Sequence, residues 1–449
     1  MIPAQELVEL ALAQSESDGC VVLVTDASEA SLRWANSTMT TNGVSTSREW
    51  AVVSVVGTSV GVVSSSSVDG ADLVEVVRAS ELAARASGPA RDAAALVTGS
   101  GAPADWGTPA AKTGIDVFDR LTTELAAGFR GQDVLYGFAE HRLHTTWLGS
   151  STGLRRRFTQ PTGTIEVNAK RGGSSAWGGL STPDFGDVQL AGLLDDLSTR
   201  LGWGQRRVDL PAGRYETLLP PSAVADLMIY LAWSMEGRGA QEGHTALSRA
   251  GGTRIGERLS QLPLTLACDP SAPGLEYAPF VATTHSDDTV SVFDNGLDAG
   301  RVEWVRDGTV NALAYPRSAA AEFGVPVAVP GDNLVLTGGS GVSLADMIAS
   351  TERGLLLTCL WYIREVDPAT LLVTGLTRDG VYLVEDGKVA GEVNNFRFNE
   401  SPLDLLRRVT EVGATERTLP REWKDWFSRT SVAPMRIPDF HMSSVSNAS

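Results

Sequence analysis

The sequence is poor in the residue types that most often form covalent crosslinks or hold metal ions. It contains five histidines and three cysteines, Cys20, Cys268 and Cys359, among 449 residues. Cysteines that are odd in number and far apart fit neither a disulfide framework nor a zinc site built on paired cysteines. The pattern favours a reducing compartment, and we expect a cytoplasmic protein.

The sequence also has little that would serve a membrane or a nucleic acid. Its longest apolar run, 224–234, is interrupted by Asp226 and falls short of the ~18–20 residues that a span requires. The first residues, MIPAQELVELALAQ, contain acids and no basic region, which is typical of an amphipathic helix rather than a signal peptide. A formal net charge of −17 repels phosphate backbones. We therefore expect neither a membrane segment nor direct contact with nucleic acid.

The first part of the chain alternates between helical and strand-like patterns. Helical spacing over 4–14 and 71–87 brackets a group of short apolar runs, which predict strands at 20–26, 31–37, 49–56 and 59–66. An Asn-Gly pair in TTNGVS (40–45) favours a hairpin turn, because both residues tolerate positive φ. We interpret 1–87 as an N-terminal α/β domain and the Ala-, Gly- and Pro-rich stretch 88–113 as a linker.

Further along, the pattern becomes richer in strands. Residues 114–220 predict a middle α/β domain that ends at Pro220 and Pro221, and a very apolar helix follows over 221–236. Beyond about 250, short β-like runs alternate with turns, so 221–440 predicts a β-rich C-terminal domain, a curled sheet or a barrel, with a frayed tail at 441–449. The expected fold class is α+β: an N-terminal α/β region followed by this β-rich domain.

The histidine positions exclude one familiar catalytic motif. None of the histidines is followed by glutamate, so the His-Glu-x-x-His pattern, which holds a metal and places a base beside its bound water, is absent. His141 and His144 in EHRLH would share a helix face, but in the predicted strand they point to opposite faces. An ordinary strand is favoured and a metal pair is the alternative. His244 is either a polar loop residue or a lone site residue. Cys359, in an apolar strand, is expected to be a buried thiol.

The stretch NNFRFNES (394–401) alternates aromatic and polar residues. In a strand, Phe396 and Phe398 share one face and Arg397 and Asn399 the other. Ser401 followed by proline is a good helix start. A structural strand is favoured, and a binding surface is the alternative.

Three stretches together resemble a known family. They are LRWANSTMTTNG (32–43), the helix predicted over 221–242, and GLLLTCLWYIREVDPATLLVTGLTRDGVYLVEDGKVAGEVNNFRFNESPLDLL (354–406). They are similar to the TldD/PmbA family, also called modulators of DNA gyrase, and the resemblance spans essentially the whole chain. It implies two kinds of subunit that pair as a heterodimer. The TldD kind carries a His-Glu-x-x-x-His helix, binds zinc and cleaves peptides, whereas the TldE (PmbA) kind lacks the metal ligands.

The resemblance can be followed residue by residue through WSMEGRGAQEGH (233–244). The family glutamate matches Glu236, and the two histidine positions fall on Met235 and Ala240. Glu242 and Gly243 fit the Glu-Gly segment that follows. A thioether is a poor zinc ligand beside imidazole, and alanine has no donor atom. A further cysteine ligand of the family has no clear counterpart, Cys359 included.

The resemblance therefore implies a non-catalytic TldE-like subunit of a zinc metallopeptidase that acts on unfolded or ribosomally made peptides. This chain would bind no metal or other cofactor, and a TldD-like partner would supply the zinc. Expected peptide- or partner-facing residues are Glu236, Arg238, Glu242, His244, Asn395, Arg397 and Asn399. Two alternatives stay open: an active metallopeptidase with a divergent metal site, and a homo-oligomeric peptide-binding adaptor.

Overall fold

The protein mixes helices with open β-sheets in a computed structural model that describes residues 2–67 and 72–446. Within these residues every sheet has two free edges, so the C-terminal sheets are open and do not close into a barrel. The predicted α+β class is confirmed.

The N-terminal sheet is antiparallel and has the strand order β3-β2-β1-β4-β5-β6. Its strands are β1 (Gly19–Ala35), β2 (Thr38–Val56), β3 (Ser59–Ser65), β4 (Val134–Ser150), β5 (Arg155–Arg171) and β6 (Ser174–Thr182). The helices that accompany it are α1 (Ala4–Gln14), α2 (Leu73–Ala86), α3 (Asp119–Gly128) and α4 (Leu190–Trp203), with a 3-10 turn at Ile115–Phe118. Strands from both sides of the predicted linker 88–113 therefore belong to one sheet.

The side-chain alternation along β1 explains how this sheet is covered. Its even-numbered residues pack against all four helices: Val22 and Val24 contact α1 and α2, and Leu32 lies against α3 and α4. Its odd-numbered residues face the other way. Val21 and Leu23 pack there against Phe280 and Phe293 of the C-terminal part, whereas the odd residues 25–33 are polar apart from Ala27 and partly or fully exposed.

The structure corrects the predicted start of the chain at the first hairpin. The separate strands predicted at 20–26 and 31–37 are one strand, β1, and the turn lies at Asn36–Ser37, where both residues have positive φ (52° and 53°). The Asn42-Gly43 pair instead lies inside β2, opposite Leu32 and Ser31. A ladder that continues along the whole of β1 outweighs the local turn preference of Asn-Gly.

The C-terminal part contains the remaining elements, many of them very short. The strands are β7 (Arg207–Val208), β8 (Gly213–Leu219), β9 (Ser248–Arg249), β10 (Gly252–Thr253), β11 (Thr265–Cys268), β12 (Val302–Arg306), β13 (Thr309–Val310), β14 (Leu334–Thr337), β15 (Arg353–Leu357), β16 (Leu360–Asp367), β17 (Leu372–Thr377), β18 (Val381–Glu385), β19 (Lys388–Val393), β20 (Phe396–Glu400), β21 (Glu411–Val412), β22 (Glu416–Thr418), β23 (Thr430–Val432) and β24 (Met435–Val445). The helices are α5 (Pro221–Trp233), α6 (Gly237–Glu242), α7 (Arg317–Phe323), α8 (Leu344–Ala349) and α9 (Pro402–Arg408), with a 3-10 turn at Val292–Asp294.

These strands form two larger sheets and one small ribbon. The longest sheet has the order β16-β17-β20-β24-β8-β15-β18-β19-β7, with β21 also paired to β24. The second has the order β13-β12-β11-β14-β23-β22, and β9 pairs with β10 alone. The predicted tail 441–449 begins inside β24, which pairs with both β8 and β20, so residues up to Val445 are ordered by the sheet.

Helix α5 is the centre of the largest apolar core. Residues Ala223–Leu231 are all buried, and they join both C-terminal sheets in one cluster. Pro221 at the first turn suits the helix start, since its missing N–H would have no partner there. The predicted helix 221–236 ends earlier, at Trp233.

Candidate functional site

The segment that follows α5 is a break between two helices. Ser234 closes α5, and Glu236 has an extended conformation (φ −77°, ψ 127°) before α6 begins at Gly237. The backbone here pairs with Ala314: the Ala314 N–H donates to the Met235 carbonyl at 2.7 Å, and the Gly237 N–H donates to the Ala314 carbonyl at 2.9 Å. The prediction of one helix over 221–242 is therefore wrong. A long-range backbone pairing interrupts it.

Gly237 makes this break possible. A Cβ atom at position 237 would lie 2.2 Å from the ring of Tyr315, which is closer than any side chain tolerates. The chain can therefore press against Tyr315 only where the residue has no side chain.

The two positions that the resemblance assigns to the family histidines are buried among apolar residues. Met235 is 1% exposed, Ala240 is 0% exposed, and both belong to the cluster around α5. Neither offers a nitrogen or oxygen donor, and a thioether alone is a weak ligand for zinc. Within residues 2–67 and 72–446 no group of three or more His, Cys, Asp and Glu side chains has the arrangement of a metal site. The residues at this position therefore do not fit a zinc ion.

A cleft of about 440 Å³ opens beside Glu236. Most of its wall is apolar, and its polar groups are mainly carboxylates. The lining residues are Ala232, Trp233, Met235, Glu236, Asp287, Asp288, Thr289, Trp304, Ala314, Pro330, Gly331, Asn333, Leu334 and Phe427. The break after α5 thus places the matched glutamate at the mouth of a hollow.

The Glu236 side chain is half-buried, and its carboxylate packs against Gly239. A Cβ atom at position 239 would lie 2.0 Å from Oε1 of Glu236. Among the described residues, no hydrogen bond or ion pair reaches this carboxylate. Burial raises its pKa, and the negative charges of Asp288 and Asp287 raise it further. The potential around Glu236 is therefore negative and favours a bound proton or cation.

Three other predicted residues lie on α6 or directly after it. Arg238 is 4% exposed; its guanidinium donates to Glu322 at 2.5 Å and lies over the Phe323 ring at 5.1 Å. Glu242 is exposed and accepts from Arg91 at 2.6 Å. His244 is exposed, and its Nδ1 lies 3.7 Å from Glu242. Arg238 is thus paired with carboxylates of its own chain, and its role toward a peptide or partner stays a prediction.

The 394–399 stretch has the predicted alternation. Phe396 and Phe398 on β20 are fully buried, whereas Arg397 is exposed and Asn399 partly exposed. Asn395 precedes the strand and accepts from the Thr377 hydroxyl at 3.2 Å. In the described part of the chain, no hydrogen bond or ion pair joins this stretch to 233–244. The two predicted surfaces are separate, since β20 lies between β17 and β24 while α6 packs on β9 and β10.

His141, His144 and Cys359 lie as their patterns predicted. His141 is buried on β4, with Nδ1 2.6 Å from the Thr113 hydroxyl and Nε2 2.8 Å from the Pro183 carbonyl. His144 lies on the opposite, exposed face. Both His141 nitrogens already have partners, which argues against the metal-pair alternative. Cys359 is buried, and burial raises the pKa of its thiol to about 12, so it is confirmed as a buried thiol.

Sequence patterns did not indicate the cleft residues outside 232–236, among them Asp287, Asp288, Trp304 and Phe427. The acidic pair in HSDDTVS (285–291) marks a turn, in which the Asp287 carboxylate accepts from the N–H groups of Thr289 and Val290. Nothing local connects that turn with Glu236, about fifty residues earlier. Only the packing of the second C-terminal sheet against α5 brings them together.

The fold and the cleft define a class: a two-part α+β protein with a buried central helix that breaks at the mouth of an interior hollow. Residues 212–444 match the family model described as the PmbA/TldA metallopeptidase C-terminal domain. The chain therefore belongs to the PmbA/TldD family, which is metallopeptidase-related.

Solved structures with the same fold extend this likeness to nearly the full length. TldE from Thermococcus kodakarensis is 15% identical with a TM-score of 0.78, over 97% of this chain and 99% of that one. A candidate modulator of a DNA gyrase from Thermotoga maritima is 14% identical with a TM-score of 0.76, over 97% and 99%. A similar candidate from Bacteroides thetaiotaomicron is 15% identical with a TM-score of 0.76, over 98% of each chain. At these identities the likeness concerns the fold. A search of curated proteins gave no match.

The helices of the described residues include none that is both long and apolar enough to cross a bilayer.

Proposed function

We propose that this chain is the non-catalytic, TldE-like subunit of a heteromeric zinc metallopeptidase, in which a TldD-like partner supplies the metal and the general base. The observation that carries the proposal is the chemistry of the matched positions: Met235 and Ala240 stand where imidazoles would be needed, and both side chains are buried. With no donor pair beside it, Glu236 has no metal-bound water to deprotonate. Hydrolysis then has to be supplied by another subunit.

The substrate of such a complex is an unfolded or ribosomally made peptide. An extended peptide can be held through its backbone by a free strand edge. Residues 40–47 of β2 offer such an edge, because they are exposed and β3 pairs only with residues 50–56. One loop lines two hollows: its residues 282–285 line a groove of about 540 Å³ beside β1 and β2, and its residues 287–289 line the cleft at Glu236. The proposal is that an extended chain lies along the groove and reaches the cleft.

The complex is proposed to be cytoplasmic, because all three cysteines are free and buried rather than crosslinked. Direct contact with nucleic acid is not part of the proposal, since a chain with a net charge of −17 repels phosphate.

Co-purification from the native host tests this proposal. We expect the tagged chain to co-purify with a second protein that carries a His-Glu-x-x-x-His motif. The co-purified complex should contain zinc and should hydrolyse peptides. The purified single chain should contain substoichiometric zinc and should not cleave peptides. A single-chain preparation with one zinc per molecule and its own activity would instead support the divergent-metal alternative. A native complex of this chain alone would support the homo-oligomeric adaptor.

A further inference from the structure

We propose that the cleft beside Glu236 receives a basic side chain, lysine or arginine, of an extended peptide. Its hydrocarbon part would lie against the aromatic wall and its charge beside the carboxylates. The inference rests on the proposed function, because it specifies which peptides the subunit selects.

The apolar wall of the cleft suits a long, flexible side chain. The rings of Trp233, Trp304 and Phe427 line it, and the Trp233 ring is held edge-on to Trp423 at 4.6 Å. Trp233 is 41% exposed, so part of its ring is accessible to a ligand that enters the cleft. Lysine and arginine place methylene groups on such surfaces and direct their charge toward polar atoms or aromatic faces.

The charges of the cleft favour a cation. Glu236 has no hydrogen-bond or ion-pair partner among the described residues, and the Asp288 side chain is 44% exposed with Arg238 no nearer than 3.7 Å. The charges that act on Glu236 are mainly negative: Asp288, Asp287 and Glu242 raise the pKa of its carboxyl group, and only His244 lowers it.

The nearby arginines do not fill this role themselves. Arg238 is buried and forked onto Glu322 by two hydrogen bonds, of 2.5 and 3.2 Å, and Arg91 is bound to Glu242. Neither residue lines the cleft. The negative potential at Glu236 is therefore left for a ligand, and it complements a basic peptide and repels an acidic one.

A matched set of peptides tests the inference with the purified full chain. Three fluorescent, end-blocked octapeptides would differ only at one central residue: lysine, norleucine or glutamate. In fluorescence anisotropy at low salt we expect the lysine peptide to bind at least about fivefold more tightly than the norleucine peptide, and the glutamate peptide to bind most weakly. The difference should shrink as salt is added.

Substitutions locate the effect. Asp288→Asn changes an exposed carboxylate, and it should weaken only the lysine peptide, by several-fold. Trp233→Ala should weaken the lysine and norleucine peptides alike. Glu352→Gln, an exposed carboxylate that does not line the cleft, is the matched control and should change neither. Circular dichroism on each variant confirms that it is folded.

The outcomes separate this inference from the proposed function. Equal binding of the lysine and norleucine peptides, or a loss with Asp288→Asn that is the same for both, overturns the basic-side-chain inference and leaves a peptide-binding subunit in place. If no peptide binds the chain alone, the set is measured on the co-purified complex, where the same preference is expected. No binding and no cleavage there would overturn both.

Discussion

The interior carboxylate of Asp226 makes the sharpest test of how the cleft is held together. It lies fully buried on α5 and accepts hydrogen bonds from the backbone N–H groups of Arg421 at 3.1 Å, Glu422 at 3.0 Å and Trp423 at 3.3 Å. Those residues begin the segment that carries Phe427 into the cleft. One side chain thus ties the central helix to a wall of the site.

Removing that acceptor should be costly. We expect Asp226→Ala to lower the free energy of unfolding by about 3–5 kcal/mol, because three N–H groups lose their partner and a small void forms. Asp226→Asn keeps an acceptor oxygen but turns an amide N–H₂ toward a donor, so about 1–2 kcal/mol is expected. Urea unfolding followed by tryptophan fluorescence measures both.

The same carboxylate predicts a pH dependence. Burial raises the pKa of Asp226 to about 8, although the three N–H groups act in the opposite direction. Because the folded pKa lies above the unfolded value of about 4, its contribution to stability is complete below pH 4 and is lost as the pH rises toward 8. The slope is at most about 1.4 kcal/mol per pH unit.

Between pH 5.5 and 7.5 the free energy of unfolding of the wild-type chain should therefore fall by up to about 3 kcal/mol more than that of the Asp226→Asn chain, because asparagine at position 226 cannot ionise. Parallel stability curves for the two chains would refute this reasoning. They would mean that Asp226 is ionised throughout and that the N–H groups outweigh burial.

Two further predictions concern the break after α5. Gly237→Ala should lower the free energy of unfolding by about 2–3 kcal/mol, because the new Cβ would collide with the Tyr315 ring at 2.2 Å. The control is Gly192→Ala on α4, where a Cβ would meet nothing within 4 Å, and it should leave the free energy of unfolding unchanged or raise it by up to about 1 kcal/mol. Equal effects of the two substitutions in thermal unfolding would contradict the steric argument. Arg238→Ala should lower the free energy of unfolding by about 2 kcal/mol, which is less than for a fully buried ion pair because Glu322 is half-exposed. Arg397→Ala removes an exposed arginine and should change the free energy of unfolding by no more than about 0.5 kcal/mol. A loss at Arg397 as large as the loss at Arg238 would contradict this comparison of a buried with an exposed arginine.

Much of the fold could be predicted because its elements repeat a simple period. The apolar body of α5, the alternation of Phe396 and Phe398 with polar neighbours, and the placement of His141 and His144 on opposite faces all follow from local spacing. The Ser-Pro start of α9 was also correct, although the Ser401 hydroxyl donates to the Thr370 carbonyl rather than capping the helix.

The errors share a cause. The first hairpin turns at Asn36–Ser37 instead of Asn42–Gly43 because β1 has a partner on both sides along most of its length. The helix predicted over 221–242 is broken because Ala314 pairs with its backbone and Tyr315 presses on Gly237. In both cases the residues that override the local preference are distant in sequence or act through the pairing of whole strands. A short stretch of sequence around the turn or the helix therefore does not contain them.

By itself the sequence determined which atoms are available: at the two positions that the resemblance matches to the family's histidines, it supplies a thioether and a methyl group, and no folding can add a donor. Only the tertiary structure decided what surrounds Glu236, because Asp288, Trp304 and Phe427 reach it through the packing of two sheets on α5. The residue type at a position sets the chemistry that the position can perform. The electrostatic field and the shape of the cleft around it come from residues that meet only when the chain folds.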